Sequence, residues 1–373
     1  MKIIADQDIY RVEDYFSSMG ELVLLPGREI SNSNLLDADA LLVRTVTKVN
    51  RELVENTAVK FVGSASSGCD HVDKSVLEEK GIHFKHAPGC NAYAVVDYFF
   101  AVLAWFNIHN QLDWQKKTVG IIGAGNVGSR IATCLHRLGI DFLIYDPLLN
   151  TEHELAPWFT SLEDVLQQDI VTLHTPLTFS GEHPTHHMLN RDRLSTLKKQ
   201  ALLINASRGE VIDNQALYEV LFERKDLEVA LDVWESEPHI NPLLLDMVKI
   251  ATPHIAGYSI NGKLNGTRKI FKDFCHFFSI ADKGANDSMC RSILEGVTGK
   301  TAVESISLNI LKAYPIEKDF IGRGQNPEQL AASFDLFRNN YRFRREISDY
   351  SLPGDNVPTA VMESLGHLGV HII

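Results

Sequence analysis

Cysteine is sparse: Cys69, Cys90, Cys134, Cys275 and Cys290 are spread over 373 residues, and no two form a C-x-x-C pair. That spacing argues against a disulfide framework or a zinc ribbon and fits a reducing cytoplasm. Positive charge is short as well. Lys and Arg number 36 against 48 Asp and Glu, a formal net charge of −12. So acidic a surface repels phosphates on average, which excludes a nucleic-acid partner held by counterion release. Long apolar runs are also missing. The most apolar stretch, 95–106, is interrupted by Asp97 and is shorter than the roughly 20 residues a membrane span needs. It reads as a helix buried on nearly every side. Asp6 interrupts the amino terminus before a signal-peptide core can form. The expectation is a soluble cytoplasmic protein of two or three domains, with no membrane partner.

What is present is alternation. Apolar runs at 2–5, 40–43, 59–63 and 82–85 read as buried strands, with helical stretches at 49–55 and 72–80. A second series, 118–122, 142–145, 170–174, 201–205, 229–232 and 249–251, is separated by helical segments, notably 126–138, 161–167 and 214–224. Strands alternating with helices specify parallel sheets of the doubly wound α/β class. After a small polar stretch at 281–287 the pattern becomes mixed, which sets off a third region.

The strand at 118–122 runs directly into Gly123-Ala124-Gly125-Asn126-Val127-Gly128 and then a helical pattern. In that context the first glycine permits the tight turn. The second lets backbone approach a pyrophosphate, and the third lets helix and strand pack closely. The helix start offers free N–H groups to phosphate. Asp146 closes the next strand, placed to bind ribose hydroxyls, and Pro147-Leu148-Leu149 brings no arginine for a 2′-phosphate. NAD is therefore expected over NADP.

Three polar residues then follow three successive strands: Arg208, Glu237 and His254. Open parallel sheets bind ligands outside the carboxyl ends of their strands, so residues distant in sequence can meet there. Oxidising a 2-hydroxy acid requires a base for the hydroxyl proton, and His254 suits it. Glu237 can fix the imidazole tautomer, and Arg208 can grip a carboxylate with its planar fork.

These motifs, with N-A-S-R-G-E-V-I-D at 205–213, L-D-V-W-E-S-E-P at 231–238 and T-P-H-I-A-G at 252–257, make residues 1–280 resemble the D-2-hydroxyacid dehydrogenase family. By V-R-T-V-T-K-V-N at 43–50, H-T-P-L-T at 174–178, G-E-H-P-T at 181–185 and G-Y-S at 257–259 it most resembles a branch of that family, and this resemblance implies a phosphorylated four-carbon acid as substrate. The resemblance implies a Rossmann cofactor domain at 94–257 and a flavodoxin-like substrate domain at 1–93 with 258–280. It further implies a small α+β dimerisation domain at 281–373, and hence a homodimer. Arg208 and Glu237 become active-site residues and His254 the proton donor. NAD contacts are implied at Asn126, Val127, Asp146, Thr175, Ala206, Ser207, Arg208, Asp232 and Gly257, and substrate contacts at Thr45, Ser66 and Tyr258.

The loop Ser64 to Asp70 is rich in small residues and suits an anion nest. For the substrate phosphate the cation expected is Arg44, with Arg344 or Arg345 of the partner subunit as a weaker suggestion. His183, His186 and His187 beside Glu182 have no metal-site spacing and read as a solvated loop; no metal is expected. Cys69 beside His71 reads as incidental. Two other functions fit the same motifs: a dehydrogenase of glycerate or 3-phosphoglycerate, and an NAD(H)-sensing binding protein.

Overall fold

The computed structural model describes all residues except 150, 151, 286, 288, 289, 342, 343, 355 and 356. Arg342 and Phe343, which precede Arg344 and Arg345 in sequence, thus lie outside the described residues. The chain forms two compact units, Met1–Asn91 with Ser259–Cys290, and Ala92–Tyr258 with Arg291–Ile373.

The first unit carries β1 (Lys2–Asp6), β2 (Glu21–Leu25), β3 (Ala40–Val43), β4 (Phe61–Ser64) and β5 (His83–His86), all parallel, in the order β2-β1-β3-β4-β5. This is the flavodoxin-like order. Alternate side chains leave opposite faces of each strand. Ile4, Leu41 and Val62 face one core with Val76 and Leu77. Ile3, Leu42 and Phe61 face the other, against Phe271 and Phe274 of the helix Ile260–Phe277. β2 was not among the expected strands. It lies at the sheet edge and none of its residues is fully buried, so its apolar pattern is weak.

The second unit holds β6 (Val119–Ile122), β7 (Phe142–Tyr145), β8 (Ile170–Leu173), β9 (Leu202–Asn205), β10 (Glu228–Leu231) and β11 (Ile250–Ala251), ordered β11-β10-β9-β8-β6-β7. β6, β8 and β9 are buried at every position, as parallel strands covered on both faces must be. Beyond β7, where a Rossmann sheet has one more strand, the described residues show a single parallel bridge, from Ile144 to Phe159. The apolar helix spans Ala92–Asn110, longer than the expected 95–106. It is long and apolar enough to cross a membrane, but 72% of its most apolar window is buried within the protein.

The carboxy-terminal region contributes a small parallel sheet, β12 (Ser292–Ile293), β13 (Tyr350–Leu352) and β14 (His371–Ile372), and the helices Ala302–Ala313, Pro327–Asn339 and Thr359–His367. Ile306 and Ile310 share one core with Phe99, Val102 and Phe106 of the long helix. Apolar faces on both helices therefore place residues 291–373 in the same compact unit as the six-stranded sheet.

Candidate active site at the carboxyl ends of the six-stranded sheet

The glycine-rich turn follows β6. Gly123 has φ of +90°, and a Cβ there would lie 2.8 Å from His174 O. At Gly128 a Cβ would fall 1.9 Å from Gly123 O, so only glycine lets the helix Gly128–Arg137 start against the turn. Gly125 faces open space. Val127 caps that helix without a side-chain bond and no acid occupies the first turn, which suits the helix end to an anion. Asp146 is anchored beside the turn: one oxygen accepts from Ala124 N (2.8 Å) and the other from Leu148 N (3.1 Å). A carboxylate has about four acceptor positions, so capacity for hydroxyls remains. Thr175 approaches the same turn, and its buried Oγ1 has no partner. Its neighbour His174 is driven down to about 3 by burial and is neutral in the fold. An orphaned hydroxyl, a glycine cradle and an uncapped helix start fit a bound dinucleotide.

β9, β10 and β11 are adjacent, and their ends supply the expected trio. After β9, Asn205 is fully buried and staples the turn. Its Oδ1 accepts from Ser207 N (3.0 Å) and Ser207 Oγ (2.8 Å), while its Nδ2 donates to Arg208 O (2.9 Å). Ala206 and Ser207 lie within this turn, and Arg208 Nη1 donates to Ser207 O (2.8 Å). Asn214 ties the turn to the next loop by donating its N–H to Glu235 (2.9 Å) and accepting from Glu235 N (3.2 Å).

After β10 and β11 the structure brings Glu237 and His254 together. His254 Nδ1 donates to Glu237 Oε2 at 2.7 Å, and the other carboxylate oxygen accepts from Trp234 N at 2.9 Å. Burial alone would push the Glu237 carboxyl up. The His254 imidazole and its hydrogen bond, the Trp234 N–H and the Arg338 charge outweigh that, holding it below its ordinary value. His254 sits at φ +57°, a left-handed conformation that a side-chain-bearing residue adopts only when its surroundings impose it.

Asp232 imposes it. This buried carboxylate accepts from Thr252 Oγ1 (2.7 Å), Ile255 N (2.8 Å) and Ala256 N (2.9 Å), and its carbonyl accepts from His254 N (2.7 Å). The turn therefore wraps around one side chain, and Gly257 and Tyr258 follow it. Sequence reasoning attached Asp232 to NAD through resemblance alone; its bracing of the His254 turn was not foreseen. Asn205, Asn214 and Arg338 were missed as well. Arg338 Nη1 lies 3.9 Å from Glu237 Oε2, and its Nη2 donates to Tyr258 Oη at 3.4 Å.

In the first unit, Thr45 and Ser66 each lie two residues beyond Val43 and Ser64, which pair across β3 and β4. Thr45 is exposed. Ser66 Oγ contacts Ser64 Oγ (2.6 Å), which contacts His71 Nε2 (2.9 Å). Burial lowers His71 to about 4, so it braces this loop as a neutral ring, and Cys69 is a free thiol beside it.

Arg44 and Arg344 correct the phosphate expectation. Arg44 grips buried Asp6 through Nε (2.8 Å) and Nη2 (3.2 Å) and reaches Asp8 at 2.6 Å, so it is committed to two carboxylates. Arg344 is 9% exposed and bonded inside its own chain, to Ala94 O (2.6 Å), Ala256 O (2.9 Å) and Asp97 (3.4 Å). It cannot reach another subunit's ligand. Burial pushes Asp97 up to about 8 against the opposing pull of Arg344. Of the histidine loop, His186 and His187 meet Glu235, with ligand atoms within 4.8 Å of one another. There His187 Nε2 bonds Glu235 Oε1 at 2.5 Å and its Nδ1 lies 3.7 Å from Asp213.

Residues 104–256 match the family described as the D-isomer specific 2-hydroxyacid dehydrogenase, NAD binding domain. An erythronate-4-phosphate dehydrogenase from Marinobacter nauticus is 40% identical over 99% of both chains. One from Photorhabdus laumondii is 43% identical over 99% of this chain and 98% of its own. Among solved structures, the NAD+-bound 3-phosphoglycerate dehydrogenase of Entamoeba histolytica shares the fold at TM-score 0.64 and 23% identity, covering 78% of this chain and 99% of its own. The α/β architecture and the NAD-binding domain are thus both established, and the chain belongs to the erythronate-4-phosphate dehydrogenase family of D-isomer specific 2-hydroxyacid dehydrogenases.

Proposed function

We propose that this protein oxidises 4-phospho-D-erythronate with NAD to (R)-3-hydroxy-2-oxo-4-phosphooxybutanoate, a step of pyridoxal 5′-phosphate formation. The observation that carries the chemistry is the 2.7 Å bond from His254 Nδ1 to Glu237. With Nδ1 committed as a donor, the neutral imidazole presents Nε2 as the acceptor for the C2 hydroxyl proton. Glu237 fixes that tautomer and balances the imidazolium that forms. Arg208, at the end of β9, holds the substrate carboxylate and polarises the C2 oxygen. NAD, when bound, takes the hydride released from C2.

Gly123, Gly125, Asn126, Val127 and Gly128 are assigned to the pyrophosphate, and Asp146 to the adenosine ribose. Thr175, Ala206, Ser207, Asp232 and Gly257 complete the cofactor contacts. Thr45, Ser66 and Tyr258 are assigned to the substrate. A homodimer built through residues 281–373 and a cytoplasmic location belong to the same reading. Sedimentation equilibrium checks the first; twice the 41.8 kDa chain mass is expected.

The function is tested by NADH absorbance across a substrate panel. 4-Phospho-D-erythronate should give the highest kcat/KM, above erythronate, glycerate and 3-phosphoglycerate. Preference for an unphosphorylated acid would refute the substrate, and no turnover of any acid would favour a sensor of NAD(H).

A further inference from the structure

The catalytic loops are reached from the carboxy-terminal region of the chain. We propose that Arg338, on the helix Pro327–Asn339 of the carboxy-terminal region, is a positioning residue for the Glu237–His254 pair. This deepens the proposed dehydrogenase reading and rests on it.

Three observations carry the inference. The guanidinium Nη1 lies 3.9 Å from Glu237 Oε2, the same oxygen that accepts from His254 at 2.7 Å, so a cation, a carboxylate and an imidazole stand in one row. Second, Nη2 donates to Tyr258 Oη at 3.4 Å, so one planar fork touches both the pair and a proposed substrate contact. Third, the side chain is turned inward: it is 23% exposed, its carbon Cζ lies 5.9 Å from the Phe334 ring centre, and Nε is buried without a partner. An arginine on a surface helix ordinarily extends its head into water. Burying an unsatisfied N–H is costly, and an arginine serving only solubility would avoid it.

Among the described residues, the groups acting most strongly on the row are these. Glu237 faces His254, Arg338 and the Trp234 N–H; Arg338 faces Glu237, Tyr258 and, farther off, Asp232. A cation beside the carboxylate favours its charged form, which keeps the tautomer-fixing acceptor available. The same region holds the His254 turn at a second point, where Arg344 donates to Ala256 O at 2.9 Å. The carboxy-terminal region thereby completes the catalytic centre of its own chain.

The test uses the full-length enzyme with Arg338→Gln, which keeps a donor but removes the charge, and Arg338→Lys, which restores it. Arg338→Gln should lower kcat about 10- to 100-fold while the NADH dissociation constant stays within about twofold, and the acid limb of the kcat profile should move up by about one pH unit, because the coupled pair loses a cation. Arg338→Lys should bring the limb back to within about 0.3 of the wild type. A folded Gln variant with wild-type kcat and limb overturns the proposal. A rise in KM alone would instead make Arg338 a substrate ligand and overturns it equally. Should the Gln variant not fold, Arg338→Met, which keeps the aliphatic stem and removes the charge, takes its place: a limb displaced upward supports the proposal, and a wild-type limb overturns it. A substrate-free readout separates failure of the underlying reading. The downfield proton resonance of the His254–Glu237 bond, assigned by its loss in His254→Gln, should shift from its imidazolium to its neutral-imidazole position at higher pH in Arg338→Gln than in wild type, whichever acid is oxidised. Coincident transitions in both overturn the inference.

Discussion

Two parallel sheets of similar topology end in loops of opposite character. Beyond β3 and β4 the five-stranded sheet offers Thr45, Ser66 and a neutral His71, held by hydroxyl contacts. Arg44, the cation directly after β3, is tied to Asp6 and Asp8. Beyond β9, β10 and β11 the six-stranded sheet offers a cation, a carboxylate and an imidazole, each fixed by a buried polar anchor: Asn205, the Trp234 N–H and Asp232. The strand order does not produce the chemistry. Fixed ionisable groups arise where buried anchors hold them in one orientation, which is why one α/β layout carries hydroxyls beyond one sheet and an ionisable trio beyond the other.

Breaking each side separately sharpens the contrast. His254→Gln should silence the six-stranded sheet, lowering kcat by about 10²- to 10⁴-fold with NADH affinity nearly unchanged in a fluorescence titration. Arg44→Met strikes the other sheet as a stability defect, since it strands the buried Asp6 carboxylate. Denaturant unfolding should show a loss of about 3 kcal/mol, and KM should not respond selectively to a phosphorylated substrate. A selective rise in KM would return Arg44 to the phosphate. Gly128→Ala forces a Cβ into the Gly123 carbonyl and should cost about 1–3 kcal/mol, with weaker NADH binding.

The last effect is a pH dependence. His71 and His174 have folded values depressed by burial to about 4 and about 3, below the ordinary 6.5. The unfolded chain therefore binds more protons across that window. Their stabilising contribution is present above pH 6.5 and is lost as pH falls. Unfolding free energies from urea titrations at pH 7 and pH 5 should differ by about 2 kcal/mol per histidine, and Gln at either position should reduce the difference.

Most strands were legible because buried parallel strands read as apolar runs: 40–43 and 142–145 coincide with β3 and β7. β2 escaped because an edge strand is only half-buried, and the Phe159 bridge because one residue carries no period. Arg208, Glu237 and His254 stood out because each follows a strand within a dense motif. Asp232 was visible as a residue but not as a brace, since its partners at Ile255 and Ala256 are backbone N–H groups without side-chain identity. Arg338 lies 101 residues beyond Glu237 on an amphipathic helix, where an arginine ordinarily signals nothing but a wet face. Arg44 misled because a cation in a conspicuous motif reads as free until its acidic partners are located.

The most direct check on the His254 mechanism follows deuterium from 4-phospho-D-erythronate labelled at C2. With wild-type enzyme the label should appear in NADH and slow kcat/KM, while His254→Gln, still binding NADH, should form almost none. Label released to water, or a His254→Gln variant turning over at the wild-type rate, would contradict the account.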